Sequence, residues 1–335
     1  MTEDGARPPG LGTGDGDADL VACVEPLLRS AGVLDRVSVV RIDGAELVHA
    51  HFGAGPDTVY EIGSLTKTMT AMLFVDAVDA GEVRPQTAVG SLLDLGDTQA
   101  AGATLAELAS HRSGLPRIAA GLRHRVAVLT AVLRHRNPYT AATPDLLAHA
   151  RAAKIAHRGR FSYSNLGAAL LGEALGSSAG MSYPELLRRR LFQPLGMTQS
   201  TAPLVPDDLP WGAPTGWNRD GSREQPWTLN AYAPAGGVRS TVNDLARYVR
   251  AILDGSAPGL DALTPRWPDD DGGHVGYAWF THEVGGTDVT WHNGRTGGFA
   301  SMLAIDRGHR AAVVVLANTA VALDEIAIRV LLRLT

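Results

Sequence analysis

The sequence predicts an α+β fold: an antiparallel sheet built from both chain ends and covered by helices, with a mainly helical domain inserted between them. Three observations carry this. Two β-rich runs near the N-terminus flank Asp43-Gly44, a dipeptide suited to a tight hairpin turn. Four apolar runs joined by Gly-containing turns close the chain, and the residues between the two sets show helical periodicity with little alternation.

The tail through Asp19 is rich in Gly, Pro and Asp and poor in apolar side chains, so it is expected to be disordered. Its Asp15, Asp17, Asp19 spacing has a faint likeness to a calcium loop, but Leu20 stands where the sharp turn needs Gly and Pro26 where a bidentate Glu belongs. Val21 to Gly32 has apolar residues at helical spacing, followed by the hairpin strands R-V-S-V-V-R-I and E-L-V-H-A-H-F. After a turn at Gly55-Pro56, Ser64 to Ala80 reads as a buried helix stopped by Gly81, with Ser64 at its N-terminus. Helical stretches then run Leu105 to Arg112, Arg125 to Arg136, Pro144 to Ala156, Leu166 to Leu175 and Tyr183 to Phe192, separated by Pro and Gly loops. Thr241 to Asp254 is one more amphipathic helix. The runs V-G-Y-A-W-F, D-V-T-W-H, F-A-S-M-L-A-I-D and A-A-V-V-V-L-A-N form a closing meander, covered by a helix from Leu323 to Leu334. The expected division is a tail over 1–20, a sheet domain from 21–82 and 231–335, and a helical domain over 83–230.

A length of 335 residues, 45% apolar and 19% charged, is enough for a sizeable core and rules out a mostly disordered or fibrous chain. The net charge of −5 includes no basic run longer than Arg188 to Arg190, so nucleic acid is not an expected partner. Cys23 is the one cysteine, and neither Cys-x-x-Cys nor His-Glu-x-x-His occurs, so no disulfide, metal or cofactor is expected. The first twenty residues lack a basic and apolar leader, and no apolar run approaches ~18 to 20 residues, which points to a cytoplasmic chain without a membrane partner. Oligomeric state is not readable.

Ser64-Leu-Thr-Lys67 is the strongest chemical signal. Residues three apart share a helix face, so the hydroxyl and the amine come within hydrogen-bond reach. A serine hydroxyl becomes a nucleophile when a neighbour takes its proton, and lysine does so once desolvation and nearby positive charge lower its pKa from ~10.4. The chain has only two lysines, Lys67 and Lys154, against many arginines, and Arg cannot act as a proton acceptor. With 16 serines, roughly one tenth of a Ser-x-x-Lys is expected by chance. A helix N-terminus also offers backbone N–H groups to an oxyanion.

The second element is Tyr163-Ser164-Asn165, a loop entering a helix: a phenol beside a lysine relays protons, and an amide both donates to and accepts from a substrate amide. The third is His292-Asn293-Gly294 at the end of D-V-T-W-H. Three other His-x-Gly triplets occur, so only its position, where a glycine admits substrate to a strand edge, sets it apart. The order and the spacings of 99 and 129 residues resemble the serine β-lactamase and penicillin-binding-protein superfamily, most closely the class C β-lactamase-like branch of D-aminopeptidases, esterases and acyltransferases. The segments Y-E-I-G-S-L-T-K-T-M-T-A, A-S-H-R-S-G-L-P, L-F-Q-P-L-G-M, P-A-G-G-V-R-S-T-V-N-D-L and W-H-N-G-R-T-G-G-F extend the resemblance over roughly Leu34 to Asn318.

The resemblance implies that Ser64 is acylated, that Lys67 and Tyr163 exchange its proton, and that Asn165, His292, Asn293 and Gly294 bind substrate. The oxyanion hole would be the backbone N–H groups of Ser64 and Arg295. His292 stands where penicillin-recognising members usually carry lysine, which disfavours a dedicated β-lactamase unless Arg295 supplies the charge. The expected function is a serine hydrolase acting through an acyl-enzyme on an amide or ester of a small metabolite or short peptide. The alternatives are an acyltransferase using the same acyl-enzyme and a non-catalytic ligand sensor. Gly176-Ser177-Ser178-Ala179-Gly180 also matches Gly-x-Ser-x-Gly, but it follows a helix rather than a strand and reads as a surface turn with Gly176 as the helix cap. The tryptophans between Trp211 and Trp291 read mainly as core and loop packing.

Overall fold

The computed structural model describes residues 8–118, 122–210 and 212–333. Residues 1–7 of the expected tail, Trp211 and Leu334 lie outside the described residues. Residues 14–19, placed in the disordered tail on composition, are structured: β1 (Gly14–Gly16) pairs with the first hairpin and leads into α1 (Ala18–Ser30). The composition argument missed this because a strand added to a sheet edge gains backbone hydrogen bonds without apolar side chains. Asp17 caps α1, its carboxylate accepting from the Leu20 N–H at 2.8 Å.

The hairpin is β2 (Val37–Asp43) and β3 (Glu46–Phe52), with Asp43 opposite Glu46 and Gly44 at φ +54 in the turn. Next come β4 (Tyr60–Glu61), a 3-10 turn at Gly63–Leu65 and α2 (Thr66–Asp79), which is buried on nearly every side, as a helix through the middle of a domain must be. The inserted region holds α3 (Leu105–Ala109), α4 (Leu122–Leu133), α5 (Thr143–Arg151), α6 (Asn165–Ala179) and α7 (Tyr183–Leu187). Gly176 lies inside α6 rather than at its end. Gly180, at φ +62, makes the left-handed cap, so the serines of that Gly-x-Ser-x-Gly belong to a helix and form no elbow.

A two-stranded piece, β5 (Gly216–Trp217) with β6 (Arg223–Glu224), precedes α8 (Ala233–Gly236), β7 (Arg239–Ser240), which pairs with β4, and α9 (Val242–Leu253). The closing strands are β8 (Trp267–Pro268), β9 (His274–Val275), β10 (Phe280–Val284), β11 (Thr287–Arg295), β12 (Ala300–Asp306) and β13 (Ala311–Ala317), with α10 (Asp324–Leu332) after them. V-G-Y-A-W-F is not one strand: Gly276–Trp279 leave the sheet in a turn closed by Gly276 N–H to the Trp279 carbonyl, with Ala278 at φ +58 and Trp279 fully buried. Burial of the indole outweighs the strand preference of the run.

The main sheet runs β1-β3-β2-β13-β12-β11-β10-β9-β8, all antiparallel, so the N-terminal hairpin joins the C-terminal meander at β2–β13. Alternation divides the sheet's side chains between two cores. Val313 and Val315 face α1 and α10, whereas Val314 and Leu316 face the core shared with α2, α6 and α9. Among the described residues, no helix is long and apolar enough to cross a membrane.

Candidate active site

Ser64 sits on the 3-10 turn that opens α2, directly behind β11. Two glycines make that approach possible. Gly63 takes φ +51, and a Cβ there would lie 2.6 Å from the Arg295 nitrogen; a Cβ on Gly294 would lie 1.9 Å from the Ile62 carbonyl oxygen. Ser301 on β12 adds a hydrogen bond from its hydroxyl to the same Ile62 carbonyl at 2.7 Å.

Lys67 is 1% exposed, and its Nζ donates to Ser64 Oγ at 3.0 Å and to the Ala235 carbonyl at 2.5 Å. Burial, and secondarily the Arg117 guanidinium, hold its pKa well below the usual lysine value. An uncharged amine there keeps one lone pair, which the serine proton can occupy while the Ala235 carbonyl holds an N–H.

Tyr163 stands beside both groups. Its ring centroid is 4.9 Å from Lys67 Nζ and 5.5 Å from the Arg117 guanidinium carbon. Burial pushes its phenol up to about 12, partly offset by a hydrogen bond with Ser64 and by Arg117, so it is a proton donor at neutral pH. Asn165 opens α6, where the Ser164 hydroxyl caps the helix by accepting from the Gly167 N–H at 2.9 Å. The Asn165 amide donates to the Tyr139 hydroxyl at 3.0 Å, and its buried Oδ1 has no partner among the described residues.

On β11 the triplet divides. Asn293, Gly294 and Arg295 line a cavity of about 750 Å³ together with Ser64, Tyr163, Asn165 and Arg117. Asn293 uses its amide to donate to Asp324 on α10 at 2.6 Å. His292 lies behind this surface, 1% exposed, with Nδ1 against the Asn293 carbonyl, and burial with nearby Lys67 pushes its pKa down to about 3. It is neutral at pH 7 and provides no fixed charge. Because Thr296 N–H bonds to the carbonyl of Phe299, the residue just before β12, alternation turns the Arg295 N–H away from β12. Pairing with β10 stops at Trp291, so that N–H is left for the cavity beside Ser64.

The structure thus gathers Ser64, Lys67, Tyr163, Asn165 and the β11 triplet around one site. Sequence reasoning passed over Arg117, Tyr139 and His111; the first and last lie in or next to A-S-H-R-S-G-L-P, and Tyr139 carries no local signal. Among the described residues no group of three or more His, Cys, Asp or Glu side chains is placed to hold a metal.

The fold is that of a class C beta-lactamase: superposition on one gives a TM-score of 0.79 over 94% of this chain and 95% of that one, at 20% identity. Residues 20–334 match the model of the Beta-lactamase family, and the chain belongs to that family. It is 29% identical to the Escherichia coli K12 D-alanyl-D-alanine-carboxypeptidase/endopeptidase AmpH over 65% of this chain, and spans 57% of that protein's length. It is 28% identical to penicillin-binding protein 4 of Amycolatopsis lactamdurans, over 81% of this chain and 76% of that one. The family and these relatives support a serine hydrolase.

Proposed function

We propose that this chain cleaves an amide or ester bond of a small metabolite or short peptide through an acyl-enzyme on Ser64. The observation that carries the reading is the 3.0 Å contact between Ser64 Oγ and a Lys67 amine whose pKa burial lowers well below the usual lysine value. As Oγ attacks the carbonyl carbon, the Lys67 lone pair takes the hydroxyl proton, and the carbonyl oxygen becomes an oxyanion facing the Ser64 and Arg295 N–H groups. Collapse of the tetrahedral intermediate breaks the bond to the amine or alcohol, which leaves with a proton passed through Lys67 and the Tyr163 phenol. Water attacks the ester in the reverse sense, and Ser64 regains its proton.

The Asn165 Oδ1 accepts a substrate N–H. With His292 neutral and buried, this edge lacks a lysine-like cation, and Arg295 is the cation of β11 on the cavity. The carboxypeptidase/endopeptidase named among the relatives supports peptide-type bonds.

The test is intact-mass spectrometry after exposure to an activated p-nitrophenyl ester, a panel of D- and L-aminoacyl amides and a fluorescent penicillin. Wild type is expected to gain one acyl mass that decays with release of acid, and Ser64→Ala to gain none. An equal adduct on Ser64→Ala, or no adduct on wild type with any probe, overturns the reading.

A further inference from the structure

Tyr163 has to hold its phenol against Ser64 although it sits in the loop that leads into α6. One distant residue, His111, bonds that loop on both sides of Tyr163. The His111 carbonyl accepts from the Ser162 N–H at 2.7 Å, and His111 Nδ1 accepts from the Ser164 N–H at 3.2 Å, so the residues on both sides of Tyr163 are fastened to it. The imidazole lies against the Tyr163 ring, centroids 4.4 Å apart and planes 34° apart, and meets Phe161 edge-on at 6.0 Å. His111 itself takes φ +57, a conformation that non-glycine residues adopt only when the surroundings hold them there.

The donor to Nδ1 is a backbone N–H, so Nδ1 carries no proton and the neutral ring has its hydrogen on Nε2. An imidazolium would lose the Ser164 bond. The ring is 1% exposed, and burial, with Lys67 and His292 nearby, holds its pKa well below the usual histidine value. Two more bonds from the same segment, Ser164 Oγ–H to the Pro116 carbonyl and Asn165 N–H to the Arg117 carbonyl, use backbone acceptors and survive a change of side chain at 111.

We propose that His111 is a positioning residue for Tyr163, its neutral imidazole fixing where the phenol meets Ser64 by stacking on that ring and accepting from the Ser164 N–H. This rests on the acyl-enzyme reading of Ser64. His111 touches no reacting atom; it acts through Tyr163.

The test compares His111→Leu, which removes the acceptor, with His111→Asn, whose Oδ1 falls near the place of Nδ1 and which tolerates positive φ. Each is made in wild type and in Tyr163→Phe. In wild type, His111→Leu is expected to lower kcat by on the order of 10- to 100-fold, a part of the ~10²- to 10⁴-fold that a positioned proton-transfer group supplies, with KM changed by less than about 3-fold. His111→Asn is expected to stay within about 5-fold of wild type. In Tyr163→Phe, where the hydroxyl is already gone, His111→Leu costs less than about 3-fold, because groups acting through one another are not additive. Equal losses in both backgrounds, or an asparagine variant as impaired as leucine, overturn the proposal. If the leucine protein does not fold, the asparagine variant decides alone: near-wild-type kcat supports an acceptor role, and a loss of equal size in both backgrounds refutes it. Wild-type acylation of Ser64 is the reference; its absence would count against the reaction, whereas an acylated wild type with additive losses counts only against His111.

Discussion

Lys67 and His292 are two bases buried in the same site, each about 1% exposed, and burial lowers the pKa of both. Their surroundings differ in what a proton finds. Lys67 Nζ has the Ser64 hydroxyl on one side and the Ala235 carbonyl on the other, so losing charge leaves it a donor and an acceptor already in line. His292 directs Nδ1 at the Asn293 carbonyl, and its Nε2 is buried with no partner among the described residues. A lowered pKa is shared; a place for the proton to come from is not. The comparison teaches that desolvation alone makes a neutral base, and that only adjacency to an O–H makes that base useful.

The sharpest way to break the contrast is at Lys67. Replacing it with Ala is expected to slow acylation of Ser64 by ~10²- to 10⁴-fold, the range a positioned general base contributes. Lys67→Arg is expected to be no faster than Lys67→Ala, since guanidinium stays charged and accepts no proton. Stopped-flow release of p-nitrophenol measures both. An arginine variant near the wild-type rate would remove the general base from the scheme.

Gly294→Ala comes next. Its Cβ would fall 1.9 Å from the Ile62 carbonyl oxygen and 2.5 Å from Ser301 Oγ, so β11 must move away from the turn that carries Ser64. Displacing the Arg295 N–H should cost on the order of 10²- to 10³-fold in kcat, as loss of one oxyanion donor does elsewhere, and overpacking about 1 to 3 kcal/mol of stability. Steady-state kinetics and urea unfolding read the two effects separately. Unchanged kcat with lowered stability would show that the Arg295 N–H faces no developing charge.

What was legible in advance follows from range. Ser64 and Lys67 lie one turn apart, and an i, i+3 pair on a helix is determined by local geometry. The β2–β3 hairpin is legible for the same reason, since Asp43-Gly44 dictates its turn. Asn165 meets Tyr139, and Tyr163 meets His111, only because loops of the inserted region pack against one another, and no periodicity encodes such a meeting. β1 escaped notice because glycine and aspartate join a sheet edge through their backbone alone. The identity of residue 292 gave the expectation of a neutral side chain, but could not show it lying behind the cavity surface rather than on it.

The smallest expected effect sharpens the other half of the comparison, that His292 is a base without a catalytic outlet. Its folded pKa is about 3, against ~6.5 for a free histidine. Between those values an unfolded chain takes up a proton that the folded chain refuses. The stability tied to this difference is therefore complete above about pH 6.5 and is lost progressively as pH falls towards 3, at up to ~1.4 kcal/mol per pH unit. His292→Asn keeps a donor near the position of Nδ1–H and cannot titrate. Its unfolding free energy in urea, measured at pH 7, 6, 5 and 4, is expected to fall with pH less steeply than that of wild type, while His111, common to both proteins, cancels from the difference. Parallel curves would mean that folding leaves the His292 pKa at its unfolded value, so that burial does not keep the proton off this ring below about pH 6.5.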